Sequence, residues 1–317
     1  MLFSTPFGGA ANGLALILSF FLAAVVARFS ARILPSDRGR ELAFDGDKSR
    51  GKLTSAGVLF VPVFAFVSLV LYKLSTEVRL YILAILVEMT AGFLDDNAGK
   101  PWSELKKGLL DLAVAVFVGV IYLAHNSGGV HLALWHTQIS IPPILMFPLI
   151  VLLMWAGINI TNITDGVDGL SATLGMLVLM GFLAVGTKLQ TLGDMQPVIL
   201  SFAGVLLVYL WHNAPPSRHL MGDAGSRALG LLIALAALKS GAPFLFIPLA
   251  LVFIMDGGSS LMKLSGRRYL KLKNFMHSVL TPLHDHVRRV FKWSDAQTVL
   301  RFALVQVLIT LATLILI

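Results

Sequence analysis

The stretch ILMFPLIVLLMWAGINITNITDGVDGL, residues 144–170, joins an apolar segment to one rich in asparagine, aspartate and glycine. Its first half belongs to an apolar run at 142–160. A helix needs roughly 17–25 such residues to cross about 30 Å of hydrocarbon. The second half is polar and contains two glycines. The stretch therefore predicts a membrane-spanning helix that ends in a polar site at one membrane surface.

The composition of the whole chain also indicates an integral membrane protein. Hydrophobic residues make up 56% of the 317 residues, charged residues 13%, and the mean hydropathy is +0.82. Soluble domains have about 25% charged residues. We expect an all-α polytopic membrane protein with one transmembrane domain, residues 1–317, and about ten transmembrane helices. The predicted spans lie near residues 11–29, 56–73, 78–94, 108–124, 142–160, 169–187, 195–212, 226–240, 242–262 and 296–317.

Basic residues set the expected orientation, because loops rich in lysine and arginine stay in the cytoplasm. Most of the 25 basic residues fall in alternate loops, which also carry the acidic motifs. We therefore expect both termini outside and the catalytic cleft at the cytoplasmic face. The net charge of +8 reflects this insertion signal and contact with anionic headgroups, so nucleic acid is not an expected partner. A segment of alternating polarity predicts a short external β-hairpin near 128–141.

The segment NITNITDGVDGL, residues 159–170, is the densest candidate site. Its polar residues Asn159, Asn162, Asp165 and Asp168 recur at every third position. On a helix this spacing would place all four along one stripe, where they would line one cavity. The alternative is a turn rich in asparagine and aspartate that merely caps two helices.

A second candidate site is the acidic pair in FLDDNAGK, residues 93–100. Asp95 and Asp96 close a predicted span, and adjacent carboxylates there repel each other unless a cation or a proton intervenes. Lys100 follows closely and could reach a phosphate. The alternative is an ordinary acidic helix end that is solvated among the headgroups.

The third acidic motif is MGDAGS, residues 221–226. Asp223 could hold a metal ion there while the free N–H groups of the helix start face an anion. Magnesium is the predicted ion because the candidate ligands are oxygens. Asn213 could add an amide to the same pocket. The alternative is a glycine-rich turn with a helix cap.

The last motif, TPLHDHVRR at 281–289, contains His284, Asp285 and His286. We expect these residues to contact a pyrophosphate or a donor substrate, and a plain surface histidine pair is the alternative. The segment before it, from Lys263 onward, mixes basic and apolar residues, which is typical of an interfacial amphipathic helix. Cysteine is absent from the chain, so disulfides and thiolate chemistry are excluded.

In order and spacing, these four motifs resemble those of the polyprenyl-phosphate N-acetylhexosamine-1-phosphate transferase superfamily, also called glycosyltransferase family 4. The resemblance covers most of the chain. Within the superfamily, two segments resemble the GTPTMGG and PxHHHFxxxGW segments of the phospho-N-acetylmuramoyl-pentapeptide transferase branch. They are RGKLTSAGVLF at 50–60 and TPLHDHVRRVFKW at 281–293.

The resemblance implies transfer of phospho-N-acetylmuramoyl-pentapeptide from a UDP-linked donor to undecaprenyl phosphate, with release of UMP and formation of lipid I. It implies a bacterial inner-membrane enzyme with Mg²⁺ as cofactor, and it suggests a homodimer. Asp95, Asp96 and Asp223 are the expected catalytic residues, with Asp223 as metal ligand and one of the pair nearby. The expected substrate-binding residues are Thr54, Lys100, Asn159, Asn162, Asp165, Asp168, Asn213, His284, Asp285 and His286.

The chain also departs from the family pattern. Asp285 replaces the central histidine, and other departures are Leu53, Ser55, Ala56 and Leu220. UDP-N-acetylglucosamine or another UDP-HexNAc is therefore an alternative donor, in a reaction that primes another surface polymer. Two alternatives belong to other classes. One is an inactive scaffold homologue, and the other is an ion-coupled transporter, because Glu88, Asp111 and Asp256 fall within predicted spans.

Overall fold

The computed structural model describes residues 9–37, 39, 49–272 and 274–317, and most of these residues are helical. In chain order the helices are α1 (Gly9–Ala27), α2 (Ser30–Ile33), α3 (Gly57–Leu71), α4 (Thr76–Asp96), α5 (Glu104–His125), α6 (Pro143–Thr164), α7 (Leu170–Leu189), α8 (Met195–Asn213), α9 (Gly222–Lys239), α10 (Phe246–Leu249), α11 (Leu251–Phe253), α12 (Ser259–Arg268), α13 (Leu283–Val290) and α14 (Asp295–Leu316). Strands β1 (Gly129–Leu132) and β2 (Thr137–Ser140) form an antiparallel hairpin. The predicted helical architecture and the hairpin near 128–141 are confirmed.

Helices occur at every predicted span. Among the described residues, α5, α6, α7, α8 and α14 are long and apolar enough to cross a membrane, and α1 and α3 are apolar but shorter. The bent segment from Pro243 to Arg268 adds a sixth candidate if it is counted as one span. A multi-pass membrane protein is thereby confirmed. The total of ten spans, the side of the termini and the external position of the hairpin stay predictions.

The ninth predicted span is broken, with a bend of 68° between Pro243–Leu249 and Leu251–Arg268. Pro248 and a wide π-helical turn at Ile254–Gly258 interrupt the regular helix. Gln306 of α14 satisfies the freed backbone groups, because its side chain donates to the Leu249 carbonyl (2.8 Å) and accepts from the Val252 amide (3.2 Å). A broken helix is tolerated in a membrane when its backbone groups find such partners.

Helix α9 forms the centre of the bundle, and its residues from Ala224 to Leu238 are buried. In lipid, helices associate through close packing and not through the hydrophobic effect, so small residues mark their contacts. A Cβ atom on Gly92 of α4 would clash with the backbone of α9 at Ala224, and one on Gly57 of α3 would clash at Gly225. These close approaches place the start of α9 directly against α3 and α4.

The chain after α12 differs from its prediction. The helix ends at Arg268, and the segment before α13 contains left-handed backbone at Lys271 and Met276. A residue in the left-handed region cannot continue a right-handed α-helix, because its backbone dihedral angles lie outside the helical range. The interfacial helix predicted from Lys263 onward is therefore wrong beyond Arg268 for the residues that the structure describes.

Candidate active site

Three helix ends bring the acidic motifs into one cleft. Asp95 and Asp96 end α4, Asp223 lies in the first turn of α9, and Lys107 lies near the start of α5. The Nζ atom of Lys107 is 2.5 Å from Oδ2 of Asp95 and 3.3 Å from Oδ2 of Asp223. These side chains line a cleft of about 470 Å³, together with Thr54. A lysine thus joins two carboxylates that come from motifs far apart in the sequence.

Asp96 has a different set of partners. Its carboxylate accepts hydrogen bonds from the backbone amides of Asp223 (3.1 Å) and Ala224 (3.4 Å), which cap the start of α9, and from the Ser55 hydroxyl (2.8 Å). Asp96 lies two residues beyond the membrane-spanning segment predicted at 78–94, at the end of α4. Burial, followed by the nearby charge of Asp223, raises the pKa of Asp96 to about 6, although these hydrogen bonds oppose the shift. Its carboxyl group can therefore exchange a proton near neutral pH.

A second polar cluster surrounds Asp168. The Nζ atom of Lys52 is 3.0 Å from Oδ2 of Asp168 and donates to the Ser217 hydroxyl at 2.8 Å. The backbone amide of Ser217 donates to the same Asp168 oxygen at 3.1 Å. Lys52 and Asp168 are partly exposed, at 22% and 18%. A ligand can therefore reach this ion pair from solvent.

The segment from Lys52 to Ser55 connects the two clusters. Lys52 contacts Asp168, and Ser55 contacts Asp96. The segment runs beside residues 219–221, with the Leu220 amide donating to the Leu53 carbonyl at 2.7 Å. Three residues of extended chain cover at most about 10 Å. The Cα atoms of Lys52 and Ser55 therefore lie within about 10 Å of each other, and each residue contacts one cluster.

The polar segment between α6 and α7 holds its own shape through several of the predicted site residues. Asp165 accepts a hydrogen bond from the Ser171 hydroxyl at 2.5 Å. Asn213 accepts from the Gly169 amide (2.7 Å) and donates to the His219 carbonyl (2.8 Å), and it is 3% exposed. Gly169 has φ of 84°, a conformation that glycine adopts without strain. Asn213 thus braces the loop between α6 and α7, and its predicted contact with substrate stays a prediction.

Asn162 reaches the acidic cleft. Its side-chain amide donates to Oδ1 of Asp223 (3.0 Å) and to the Ser226 hydroxyl (2.8 Å). Asn159, one turn earlier on α6, donates instead to Asp111 at 3.0 Å, inside the bundle. The four polar residues that were predicted to share one stripe therefore have different surroundings. Asn159 lies inside the bundle, Asn162 reaches the cleft, and the two aspartates lie in the turn after α6, which ends at Thr164.

The histidine motif packs against the same turn. His284 is 3% exposed, and its ring lies where a Cβ atom on Gly166 would be, 2.8 Å from the imidazole Cε1. Both carboxylate oxygens of Asp256 bind His284, one at the backbone amide (2.6 Å) and one at Nδ1 (2.8 Å). Burial alone would lower the pKa of His284, but Asp256 outweighs it and raises that pKa. His284 therefore keeps its positive charge to higher pH than a free histidine.

The other predicted residues differ in their surroundings. Asp285 lies 3.5 Å from the Arg288 guanidinium, and Nδ1 of His286 accepts a hydrogen bond from the Leu280 amide. Lys100 is exposed on the surface, and Lys107 makes the contacts to the carboxylates instead. Neither Lys107 nor Lys52 is among the residues predicted for the site, because lysines in these loops also set the expected orientation. The signal that could have identified Lys52 is its place two residues before Thr54, in the segment 50–60 that resembles the family.

The cleft suits a magnesium ion that is shared with a substrate. Among the described residues, no three His, Asp or Glu side chains are grouped closely enough to hold a metal by themselves. Magnesium usually binds one or two carboxylates and completes its shell with water and substrate phosphates. Asp223 and Asp95, on either side of Lys107, provide that smaller donor set, and their ligand atoms are oxygens.

An apolar groove of about 820 Å³ runs along α5 and α6. It begins at Ser103 and Glu104, at the same end of α5 as Lys107, and Arg268 and Tyr269 also line it. Its inner surface is mainly leucine, valine and aromatic side chains, including Leu109, Leu112, Val116, Phe147 and Trp155. A long apolar chain fits a groove with this lining.

Comparison with known proteins finds one matching family model and several similar proteins. A model described as "Glycosyl transferase family 4" matches residues 78–241. Two proteins named phospho-N-acetylmuramoyl-pentapeptide-transferase, from two strains of Treponema pallidum, are each 38% identical to this chain and cover 95% of it and 88% of their own length. A protein of the same name from Nautilia profundicola is 28% identical, with 91% of this chain and 89% of its own covered.

Proposed function

This chain belongs to glycosyl transferase family 4, and we propose that it transfers phospho-N-acetylmuramoyl-pentapeptide from its UDP-linked donor to undecaprenyl phosphate. UMP is released, and lipid I is formed for peptidoglycan synthesis. The names of the 38% identical relatives support this reaction. The observation that carries the proposal is the placement of Lys107 between Asp95 and Asp223, in a cleft joined through residues 52–55 to the Lys52–Asp168 pair.

The acceptor phosphate binds beside Lys107, and its prenyl chain lies in the apolar groove between α5 and α6. The groove begins within one helical turn of Lys107, which supports this placement. The donor pyrophosphate lies between Lys107 and Lys52, because two cations match two linked phosphates. The uridine end lies near Asp168 and Asp165, and His284 faces the donor across Gly166.

In the reaction, an oxygen of the acceptor phosphate attacks the donor phosphorus that carries the sugar. The bond from that phosphorus to the oxygen of UMP breaks, and the electron pair leaves with UMP. Such a displacement depends on alignment and charge neutralisation. Asp223, with Asp95 or Asp96 nearby, would hold the Mg²⁺ ion, which would supply neutralisation of phosphate charge.

Asp96 accepts the proton of a protonated acceptor phosphate. Its pKa of about 6 is close to the second pKa of a phosphate monoester, which is about 6.

The donor sugar is the part of the proposal that needs the sharpest test. Asp285, in place of the family histidine, lies in the motif that we place beside the donor. UDP-N-acetylglucosamine is therefore the second candidate donor, and it would make the enzyme a primer of another surface polymer. The ion-coupled transporter alternative loses its basis, because Glu88 and Asp111 pair with Arg227 and Asp256 pairs with His284.

The experiment measures UMP release by the detergent-purified protein with undecaprenyl phosphate and Mg²⁺, and compares the two donors. We expect turnover of the pentapeptide donor and none of UDP-N-acetylglucosamine. The opposite preference would replace the donor, and no release from either would refute the proposed function. Asp223→Ala should abolish release while the protein stays monodisperse, and a chelator should do the same to the unmodified chain until Mg²⁺ is restored.

The cleft faces the cytoplasm of a bacterial inner membrane in this proposal, since the UDP-linked donor is a cytoplasmic metabolite class. The chain has no cysteine, so one introduced residue gives a unique label. A cysteine at Asn97 should react with a membrane-impermeant maleimide only after the cells are opened. Labelling in intact cells would reverse the orientation.

A further inference from the structure

Beneath the acidic cleft lies a second polar layer that the reaction as described does not use. Helices α4, α5, α6 and α9 all contribute to the cleft, through Asp95, Lys107, Asn162 and Asp223, and α4 adds Asp96. The same four helices each contribute one residue to the deeper layer, namely Glu88, Asp111, Asn159 and Arg227. On α5 and α9 the paired positions are four residues apart, which separates the layers by about 6 Å.

The charges of the two layers are reversed across the α5–α9 contact. In the cleft, a lysine of α5 faces an aspartate of α9. In the deeper layer, Asp111 of α5 faces Arg227 of α9, and the two side chains form an ion pair. Glu88 lies 3.5 Å from Nε of the same arginine, and Asn159 donates to Asp111. Glu88, Asp111 and Arg227 are 0%, 1% and 2% exposed.

Arg227 also binds the backbone of the residue that acts in the cleft. Its Nη2 atom is 3.4 Å from the carbonyl oxygen of Lys107 while it holds the Asp111 carboxylate. The guanidinium is a rigid fork, whereas the lysine side chain has a flexible four-carbon stem. Arg227 therefore fixes the start of α5, and with it the base of the lysine, one turn below Asp223.

We propose that Glu88, Asp111, Asn159 and Arg227 form a positioning layer that holds Lys107 and Asp223 at the separation the transfer reaction requires, an inference that rests on the proposed function. None of the four touches substrate. Removing one partner leaves a charge buried without its counter-ion, which destabilises such pairs strongly. The layer must therefore be distinguished from one that only holds the bundle together.

The chain provides a matched control at the other end of α9. Lys239 of α9 pairs with Glu77 of α4 at 3.0 Å, and both side chains are largely enclosed, at 12% and 10% exposed. In each of Asp111→Asn and Glu77→Gln, an acid that forms a buried ion pair with a basic residue of α9 is replaced by its amide. Glu77 lies near the hairpin end of the bundle and contacts Asn126, far from the cleft along α4.

We expect Asp111→Asn to lower kcat at least tenfold while the KM values for donor and acceptor change less than threefold. Glu77→Gln should lower the thermal midpoint to a similar degree and leave kcat within twofold. A double-mutant cycle then tests whether Asp111→Asn lowers kcat through Lys107. In a Lys107→Met background, Asp111→Asn should change the remaining kcat less than twofold, since the lysine that it positions is gone.

A second readout does not depend on turnover. Magnesium ions should raise the thermal midpoint of the unmodified chain, because a ligand that binds the folded state stabilises it. Asp111→Asn should reduce that rise, and Glu77→Gln should keep it. If the unmodified chain is stabilised by Mg²⁺ but releases no UMP, the proposed function fails while the positioning layer can still be judged. Equal loss of kcat in both variants, or additive effects of Asp111→Asn and Lys107→Met, would overturn the positioning layer.

Discussion

Gly92→Ala is the most direct test of how closely the acidic motifs must approach each other. A Cβ atom on Gly92 would lie 2.5 Å from the backbone nitrogen of Ala224 and closer still to the carbonyl of Asp223. Ordinary contact begins at 3.4 Å and the nearest backbone atom would be at 2.4 Å, so α4 and the start of α9 must separate by about 1.0 Å. Both neighbours are backbone atoms and cannot rotate away, unlike the end of a flexible side chain.

The displacement acts where the chemistry is placed. Gly92 lies one turn before Asp95 and Asp96, and the backbone it pushes belongs to Asp223 and the next residue. A misplacement of about 1 Å can cost on the order of 10²-fold in rate, and we expect kcat to fall by about that factor. Overpacking of this kind also costs about 1–3 kcal/mol of stability, which a bundle of this size should tolerate.

The assay is UMP release at saturating donor and acceptor, with the thermal midpoint and monodispersity measured on the same preparation. Gly13→Ala is the control, because Gly13 is an exposed residue of α1 whose added Cβ would meet open space. The control should keep the kcat of the unmodified chain. A folded Gly92→Ala protein with kcat within threefold of that value would refute the reasoning, since the helices would then have separated without disturbing the carboxylates.

Two further predictions concern the donor side of the cleft. Asp256→Asn removes the carboxylate that raises the pKa of His284, so burial should then bring that pKa below its ordinary value of about 6.5. The raised folded-state pKa of His284 stabilises the protein below about pH 6.5, and this contribution is lost as the pH rises through that pKa. The fall in thermal midpoint above about pH 6.5 should therefore flatten in the variant, and an unchanged profile would contradict the assignment. Lys52→Met should raise the KM for the donor at least tenfold and leave the KM for the acceptor within threefold, whereas Lys188→Met, at the exposed end of α7, should change neither.

Much of the fold could be read from the sequence because spanning a membrane is a local requirement. Each apolar run must satisfy its own backbone hydrogen bonds, so helices occur at the predicted spans. The exception is the run at 242–262, whose bend depends on Gln306, a residue of another helix. Local pattern also placed the hairpin, where alternating polarity and flanking glycines and prolines act over a few residues.

The candidate site was predicted only in part. The acidic motifs were found because carboxylates next to hydrocarbon are rare and need a reason. Their partners were not found, since Lys107 and Lys52 look like ordinary loop lysines until the helices are assembled. Asn159 and Asn162 belong to one repeat in the sequence, yet one turn of helix directs them to different layers.

The sequence by itself determined that this chain is a helical membrane protein with acidic motifs of a phospho-sugar transferase, since hydropathy and motif spacing are properties of neighbouring residues. Only the tertiary structure decided which charges neutralise each other. Lys52 and Asp168 are 116 positions apart, as are Lys107 and Asp223. Such pairs depend on how the helices pack around α9, and in a medium of low dielectric constant that pairing decides which buried charges can exist at all.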